Sequence, residues 1–432
     1  MSPKVFNTEN PDTLKTRALH WASSFDTACY FDSNNYSDPY SAFDVLIAAG
    51  AEDEIKSTGD QSFTQLQNFL KQHEAFIPGF FAYDLKNEIE DLDSLNPDHL
   101  NFPDLHFFVP QHTVLIKGQK VFVYSREADR IWQAINTYDI PRPSVRTFDA
   151  EIKARFSRDE YVTTVQQIQR HIRRGDIYEI NFCQEFYAEN AGIDPLEVFV
   201  QLNKISPTPF ANYFKIKDHY IISATPERFL SRRGTKLITQ PIKGTSARST
   251  DADQDENRKK SLKQDEKELA ENVMIVDLVR NDLTKSAKPG TVQVEELFGV
   301  YSFKQVHQLI STVVCERADD LSNTRIISNT FPMGSMTGAP KISAMRLAEQ
   351  YERSRRGVYS GAVGYFAPNG DFDFNVVIRT ILYNAESGYL SFHVGSAITL
   401  DSDPLKEYDE CVLKGQAINE VLEQKKTRQN RV

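Results

Sequence analysis

The stretch SGAVGYFAPNGDFDFNVVIRTILY, from Ser360 to Tyr383, limits the fold more than any other. Apolar and polar residues alternate on both sides of Asn369 and Gly370, the strongest short hairpin signal in the chain. HYIISATPERFLSRRGTKLITQPIKGT, from His219 to Thr245, reads as two more strands around the turn RRG, where Gly234 supplies a permissive backbone. NAESG marks another turn, YLSFHVGSAITL another strand, and DSDPLKEYDECVLKGQAINEVLEQKK a helix opened by Asp403 and Pro404. Strands joined by short turns make antiparallel sheets, and the helical patterns between them must cover those sheets. The chain therefore reads as α+β and layered.

Up to about residue 145 short apolar runs such as FDVLIAA, FIPGFFAY and VFVYS alternate with polar loops, a mixture of strand and helix. Pro141 and Pro143 then interrupt regular structure before a new helical pattern, RDEYVTTVQQIQRHIRRGD. The expected divisions are residues 1–145, residues 146–425 and a polar tail over 426–432. With 432 residues and 40% hydrophobic content the chain can bury a large core. A formal net charge of −10 argues against a nucleic-acid partner, which needs clustered Lys and Arg, but leaves room for a local pocket that takes a small anion. Cys29, Cys183, Cys315 and Cys411 are far apart, with no C-x-x-C pair, as for reduced thiols. No run of about 18 apolar residues and no apolar signal-peptide core occurs, so no membrane partner and a cytoplasmic location are expected.

Within this frame a few polar residues stand out. Strands pairing about Gly234 bring Glu227 and Lys243 toward one open end, as an acid and a nucleophile or as an ordinary cross-strand ion pair. Ile242 and Thr245 flank the lysine, and partial desolvation by them lowers an amine's pKa. In QDEKELAENVMIVDLVRNDLTK, with Leu269, Val273, Val276 and Val279 as its apolar stripe, Glu268 and Glu271 are three apart and share a helix face. Glu407 and Glu410 repeat the device on the last helix, with Lys414 one turn on; two such pairs suit a hard cation such as Mg²⁺, and each alone suits a solvated face. FPMGSMTGAPK places Gly334, Ser335, Thr337 and Gly338 ahead of a helix, as an anion site or a plain helix start. Arg379, in an otherwise apolar strand pattern, needs a buried partner, for which a bidentate carboxylate is natural.

The segments ATPERFL, QPIKGT, DEKELAENVMIVDLVRNDL, FPMGSMTGAPK, RRGVYSGAVGYF, VVIRT, HVGSAIT and EYDECVLKGQA, in this order over about residues 155–420, resemble the chorismate-utilising enzymes. That family includes the large subunits of anthranilate synthase and aminodeoxychorismate synthase and the isochorismate and salicylate synthases. The resemblance implies one large α/β/β/α assembly of two mainly antiparallel sheets flanked by helices, with the active site between the sheets. Residues 1–145, where GFFAYDLKNEIE carries a weaker likeness, would correspond to the amino-terminal region of anthranilate synthase component I.

Within the resemblance, lysine at position 243 is similar to the aminodeoxychorismate synthases, where it attacks C2 of chorismate as the C4 hydroxyl leaves and ammonia then adds at C4; the anthranilate synthases carry alanine there. Glu227 resembles the general acid for that hydroxyl. Gln184 is placed at the position where isochorismate and salicylate synthases carry a water-activating lysine, which disfavours hydroxylation. Glu271 and Glu410 correspond to Mg²⁺ ligands, with Glu268 and Glu407 close by. Tyr359, Arg379, Gly361 and the Gly395–Ser396 backbone correspond to the grip on chorismate, with Thr245 beside the nucleophile and Lys414 at the ring carboxylate. His307 matches a histidine near the ring. After PIKGT the family commonly has arginine and proline, whereas Ser246 and Ala247 precede Arg248 here. Ammonia is expected from a separate glutaminase, since no cysteine stands in a G-x-C-x-G elbow, and a separate aminodeoxychorismate lyase is expected to act on the product.

Overall fold

The computed structural model describes residues 2–142 and 148–427, with side chains to residue 423. The boundary expected at 145 and most of the tail expected over 426–432 lie outside them.

All described strand pairs are antiparallel, and one long pair organises the rest. Val45–Ser57 runs beside Leu105–Lys117 along its whole length. Both strands reach from one arm of the sheet into the other. On one side Ala28 pairs with Ala49, and the ladder continues through Thr27–Asp32, Phe210–Ile216, His219–Thr225, Thr380–Asn384, Tyr389–Ile398 and Glu179–Ala188. On the other side Gly79 pairs with Phe107, and a second ladder runs through Ile77–Phe81, Ala362–Phe366, Phe372–Val376, Arg228–Arg233, Lys236–Gln240 and Val306–Glu316. The first 142 residues thus add strands to both arms.

The arms face each other. Phe214 of the first lies 5.9 Å from both Phe80 and Phe108, and Phe31 meets Tyr365 edge-on at 6.3 Å. A second apolar cluster fills the space between the first arm and its covering helices, with Tyr161, Val165 and Ile168 of Arg158–Arg174 and Ile418, Val421 and Leu422 of Pro404–Thr427. Burying a side chain of this size contributes roughly 1.5–3 kcal/mol, and the two layers hold the space between the arms to a fixed width.

Helix ends follow their capping residues. Ser157 and Glu160 form a reciprocal capping box, and Gly175 closes the same helix in a left-handed conformation, φ 87°. Asp265 accepts from the backbone N–H groups of Lys267 and Glu268 and opens Glu266–Thr284. The buried residues of that helix are Asn272, Ile275, Val276, Val279, Asp282 and Leu283; Val276 and Val279 are inside as expected, whereas Val273 is 49% exposed, because the buried face is centred on Ile275 and Val279 rather than on Val273.

Two strand expectations change in detail. The Asn369–Gly370 turn joins Ala362–Phe366 to Phe372–Val376 as read, but the second strand stops there, and Arg379 occupies a bend with φ 50° before Thr380–Asn384 starts in the other arm. Similarly, Pro226 has no N–H for a ladder and splits the run before the Gly234 turn, leaving His219–Thr225 in one arm and Arg228–Arg233 in the other. At both breaks the chain crosses between the arms, and each break carries one of the charged residues singled out above.

Candidate active site

Glu227 stands at the first crossing, 4% exposed, and accepts a hydrogen bond from Ser335 Oγ at 2.6 Å. Burial raises its pKa to about 7, against the opposing pull of Ser335, Lys243, the Ile242 backbone N–H and Arg379. Near neutral pH it is poised between acid and carboxylate. The loop read as either an anion site or a plain helix start supplies Ser335, while its N–H groups at Met336 and Thr337 are used inside the loop, on Met333 and Gly334 carbonyls.

Lys243 follows Pro241, which ends the Lys236–Gln240 strand, and belongs to Ile242–Ala247. Asn272 Nδ2 donates to its carbonyl at 3.3 Å and Asn272 Oδ1 accepts from Ser311 Oγ at 2.7 Å, so the peptide behind the lysine is fixed to helix and sheet. Its side chain is 12% exposed, and Nζ donates at 2.8 Å to Oε1 of Glu179, a residue of the opposite arm that is 1% exposed. Lys243 is thus ion-paired, but to Glu179 inside the cleft rather than to Glu227 on a solvated face. Burial works against the ammonium, but Glu179, Glu271 and Glu227 outweigh it and hold the Lys243 pKa above the ordinary value, which reverses the expected lowering. Thr245 is exposed at the rim, opposite Gln308.

Alternation along Glu179–Ala188 explains why Glu179 and not Gln184 is in the cleft. Its ladder with Tyr389–Ile398 has no register shift, so residues 179, 181 and 183 point between the arms, while 180, 182 and 184 point to the covering helices. Gln184, taken above as the residue in place of a catalytic lysine, is on the wrong face.

Arg379 is half-buried, and its guanidinium makes no hydrogen bond to protein among the described residues; the bidentate carboxylate expected for it is not there. Burial lowers its pKa to about 10, with the charge of Glu227 partly restoring it. A cation free of a protein partner at the edge of the cleft is suited to an anionic ligand. Tyr359 lies nearby in the layer between the arms, its hydroxyl 3.8 Å from Cys183 Sγ and its ring stacked on His393 at 4.8 Å. Two of the expected substrate contacts are positions that need glycine. A Cβ at Gly361 would meet the Phe81 carbonyl at 2.1 Å, and one at Gly395 would meet Cys183 Sγ at 2.6 Å. Ser396, one residue on, turns its hydroxyl to Tyr161 at 3.4 Å on the helix side, so its backbone alone can face a ligand.

The four helix carboxylates do come together. Lys267 Nζ lies 3.7 Å from Glu271 and 3.6 Å from Glu407, joining the two helices. Burial and the charges of Glu271 and Glu410 raise the Glu268 pKa to about 7; burial also raises that of Glu271. Desolvation of Glu410 is overcome by Lys414 Nζ at 2.6 Å, which keeps it below its usual range, and the same ammonium donates to the Gly395 carbonyl at 3.0 Å. Among the described residues no three acidic, His or Cys groups are gathered closely enough to hold an ion as they stand. The donor set still fits a hard dication in its chemistry: these are carboxyls on two facing helices, and burial raises the pKa values of Glu268 and Glu271, an effect that a bound cation would oppose.

His307 is drawn elsewhere. Ser302 Oγ lies 2.8 Å from Nδ1 and Asp255 Oδ1 3.1 Å from Nε2, and Asp255 is also gripped by Arg248 Nε at 2.9 Å. Both ring nitrogens are taken, and the histidine ties the chain five residues after Lys243 to the Ala252–Gln264 helix. Glu179 is the residue that sequence reading missed. It is 64 residues from Lys243 and on another strand, and only the closure of the arms connects them.

A profile described as chorismate binding enzyme matches residues 26–420 of this chain. It is 35% identical to aminodeoxychorismate synthase component 1 of Klebsiella aerogenes over 80% of this chain and 76% of that protein. It is 34% identical to anthranilate synthase component 1 of Thermus thermophilus over 80% of this chain and 77% of that one. The crystal structure of anthranilate synthase component I from Streptococcus pneumoniae superposes with a TM-score of 0.77 at 27% identity, covering 89% of this chain and 93% of the other.

Proposed function

The chain belongs to the chorismate binding enzymes, and we propose that within them it is an aminodeoxychorismate synthase large subunit, adding ammonia at C4 of chorismate. The observation that carries this reading is Lys243, an amine fixed inside the cleft with a carboxyl that can be protonated, Glu227, within its electrostatic reach. Neutral Lys243 attacks C2, and Glu227 gives its proton to the departing C4 hydroxyl. Ammonia then forms a bond at C4 and expels the lysine. Arg379 and the Gly395–Ser396 backbone bind the carboxylate end of the substrate, with Tyr359 behind them, Gly361 leaving room, and Thr245 at the rim. Mg²⁺ held by Glu271, Glu410, Glu268 and Glu407 would neutralise the ring carboxylate. Lys414 is positioned to share that contact once Glu410 turns to the ion. His307 keeps the Lys243 strand in register with its covering helix.

The ammonia is proposed to come from glutamine through a separate glutaminase, the product to pass to a separate lyase on the route to 4-aminobenzoate and folate, and the protein to work in the cytoplasm. No described helix is long and apolar enough to cross a membrane. Anthranilate synthase is the second reading, favoured by relatives of that name at similar identity. The two separate on product. Protein incubated with chorismate, Mg²⁺ and ammonium is expected to yield an amine that added aminodeoxychorismate lyase converts to 4-aminobenzoate, and Lys243→Ala is expected to lower its formation at least ~100-fold, as for loss of a nucleophile. Anthranilate as the product would transfer the assignment to the second reading.

A further inference from the structure

We propose that Glu179 is a catalytic base in this site, taking the proton that Lys243 must lose before it attacks and returning it when the lysine is expelled. The inference rests on the reading of Lys243 as nucleophile. It starts from three observations. Glu179 Oε1 is 2.8 Å from Lys243 Nζ, the reacting atom. The residue is 1% exposed, so water does not compete for its proton. Its other oxygen, Oε2, is buried with no hydrogen-bond partner among the described residues, which for a carboxylate is costly unless a second group reaches it during function. The other charged groups that act on Lys243 are Glu271, Glu227 and, paired with Lys414, Glu410. Glu227 is committed to the leaving hydroxyl, and Glu271 lies beside Lys267 at 3.7 Å on the side of the helix carboxylates.

The cycle balances. A proton passes from the Lys243 ammonium to Glu179. The amine lone pair forms the N–C2 bond, both ring double bonds shift by one position, and the C4–O bond breaks with Glu227 supplying the proton that makes water. Ammonia forms the N–C4 bond, both double bonds shift back, and the C2–N bond breaks to release neutral Lys243. Glu179 then returns its proton to Lys243, and the new C4 ammonium reprotonates Glu227. No oxidant or further reactant is needed.

The test uses the full chain with chorismate and Mg²⁺, first without ammonium, following the lysine adduct by intact-protein mass, and then with ammonium and lyase. Glu179→Gln keeps an oxygen for the Lys243 hydrogen bond but is no base. It is expected to slow adduct formation and turnover at least ~100-fold while chorismate affinity stays within about threefold, and Glu179→Asp is expected to recover at least ~10-fold over it. Adduct and turnover in Glu179→Gln at the wild-type rate would overturn the role of Glu179 and leave the nucleophile standing. A wild-type protein that forms no adduct and no 4-aminobenzoate would overturn the functional reading itself, and the inference with it. Where Glu179→Gln does not fold, Glu179→Asp decides: a carboxylate withdrawn by one methylene slows adduct formation at least ~5-fold, and an unchanged rate refutes the base.

Discussion

Replacing Glu227 by glutamine separates what this residue costs the fold from what it gives the reaction. Its pKa in the folded protein is about 7 against an ordinary 4.5. The folded state therefore holds the proton more tightly than the unfolded chain. The group contributes stability that is fully present below pH 4.5 and is lost as pH rises toward 7, after which the curve is flat. Integrated, the loss is about 0.8 kcal/mol at pH 5, about 2 kcal/mol at pH 6 and about 3.4 kcal/mol at pH 8. Glutamine carries no charge at any of these values. Glu227→Gln is thus expected to gain about 2.5 kcal/mol on the wild type between pH 5 and pH 8. Unfolding both proteins in urea at intervals across that range, without Mg²⁺ or chorismate, measures the difference directly. A fixed offset from pairing the new amide with the Ile242 N–H cancels, as does every other titrating group the two proteins share. Parallel stability curves would refute the argument, because they would mean that Glu227 ionises in the folded protein as it does in water. Turnover moves the other way. The variant is expected to lose a factor of about 10²–10⁴, the usual contribution of a positioned acid, and the wild-type rate of C4–O cleavage is expected to decline above pH 7 as the acid form is depleted.

Two further outcomes follow from the geometry. Because the Glu268 carboxyl titrates at about 7, Mg²⁺ binding at pH 7 is expected to release about half a proton, seen by calorimetry in two buffers of different ionisation enthalpy, and Glu271→Gln with Glu410→Gln is expected to abolish both that release and any Mg²⁺-dependent rise in melting temperature. Gly395→Ala places a methyl 2.6 Å from Cys183 Sγ and is expected to cost about 1–3 kcal/mol in denaturant unfolding and to raise KM for chorismate more than it lowers kcat, since the strand must shift beneath the ligand.

What could be read from the chain was mostly local. The Gly234 and Gly370 turns and the helix start at Asp403 and Pro404 are decided by residues a few positions apart, and they fell where their chemistry put them. Glu227 and Lys243 were placed at one end of a hairpin because the turn between them fixes the strand register. Other positions depend on which arm a strand joins. Arg379 looked like a strand residue because its neighbours are apolar, but the chain crosses between arms there and a left-handed bend results. The face of Gln184 depends on parity along a strand whose start is not marked in the sequence, and a shift of one residue reverses every side chain. Likewise Val273 satisfies a helical period as well as Ile275 does, and only the docked sheet selects between them.

The site can be understood as charge kept deliberately out of balance between two rigid layers. Glu227 and Glu268 are each raised to about 7, Lys243 is held as an ammonium by its acidic neighbours, and Arg379 has no hydrogen-bonded carboxylate among the described residues. The raised Glu268 and the unpaired Arg379 are unfavourable as they stand, and an anionic ligand bound with a dication would relieve both. A dication would favour the ionised helix carboxylates, and a ligand carboxylate would satisfy Arg379. The lysine is a different matter, because no ligand charge removes its proton. Glu179 is the group in contact with it, 2.8 Å away and sealed from water, so the proton has a destination inside the cleft at the moment the substrate closes it.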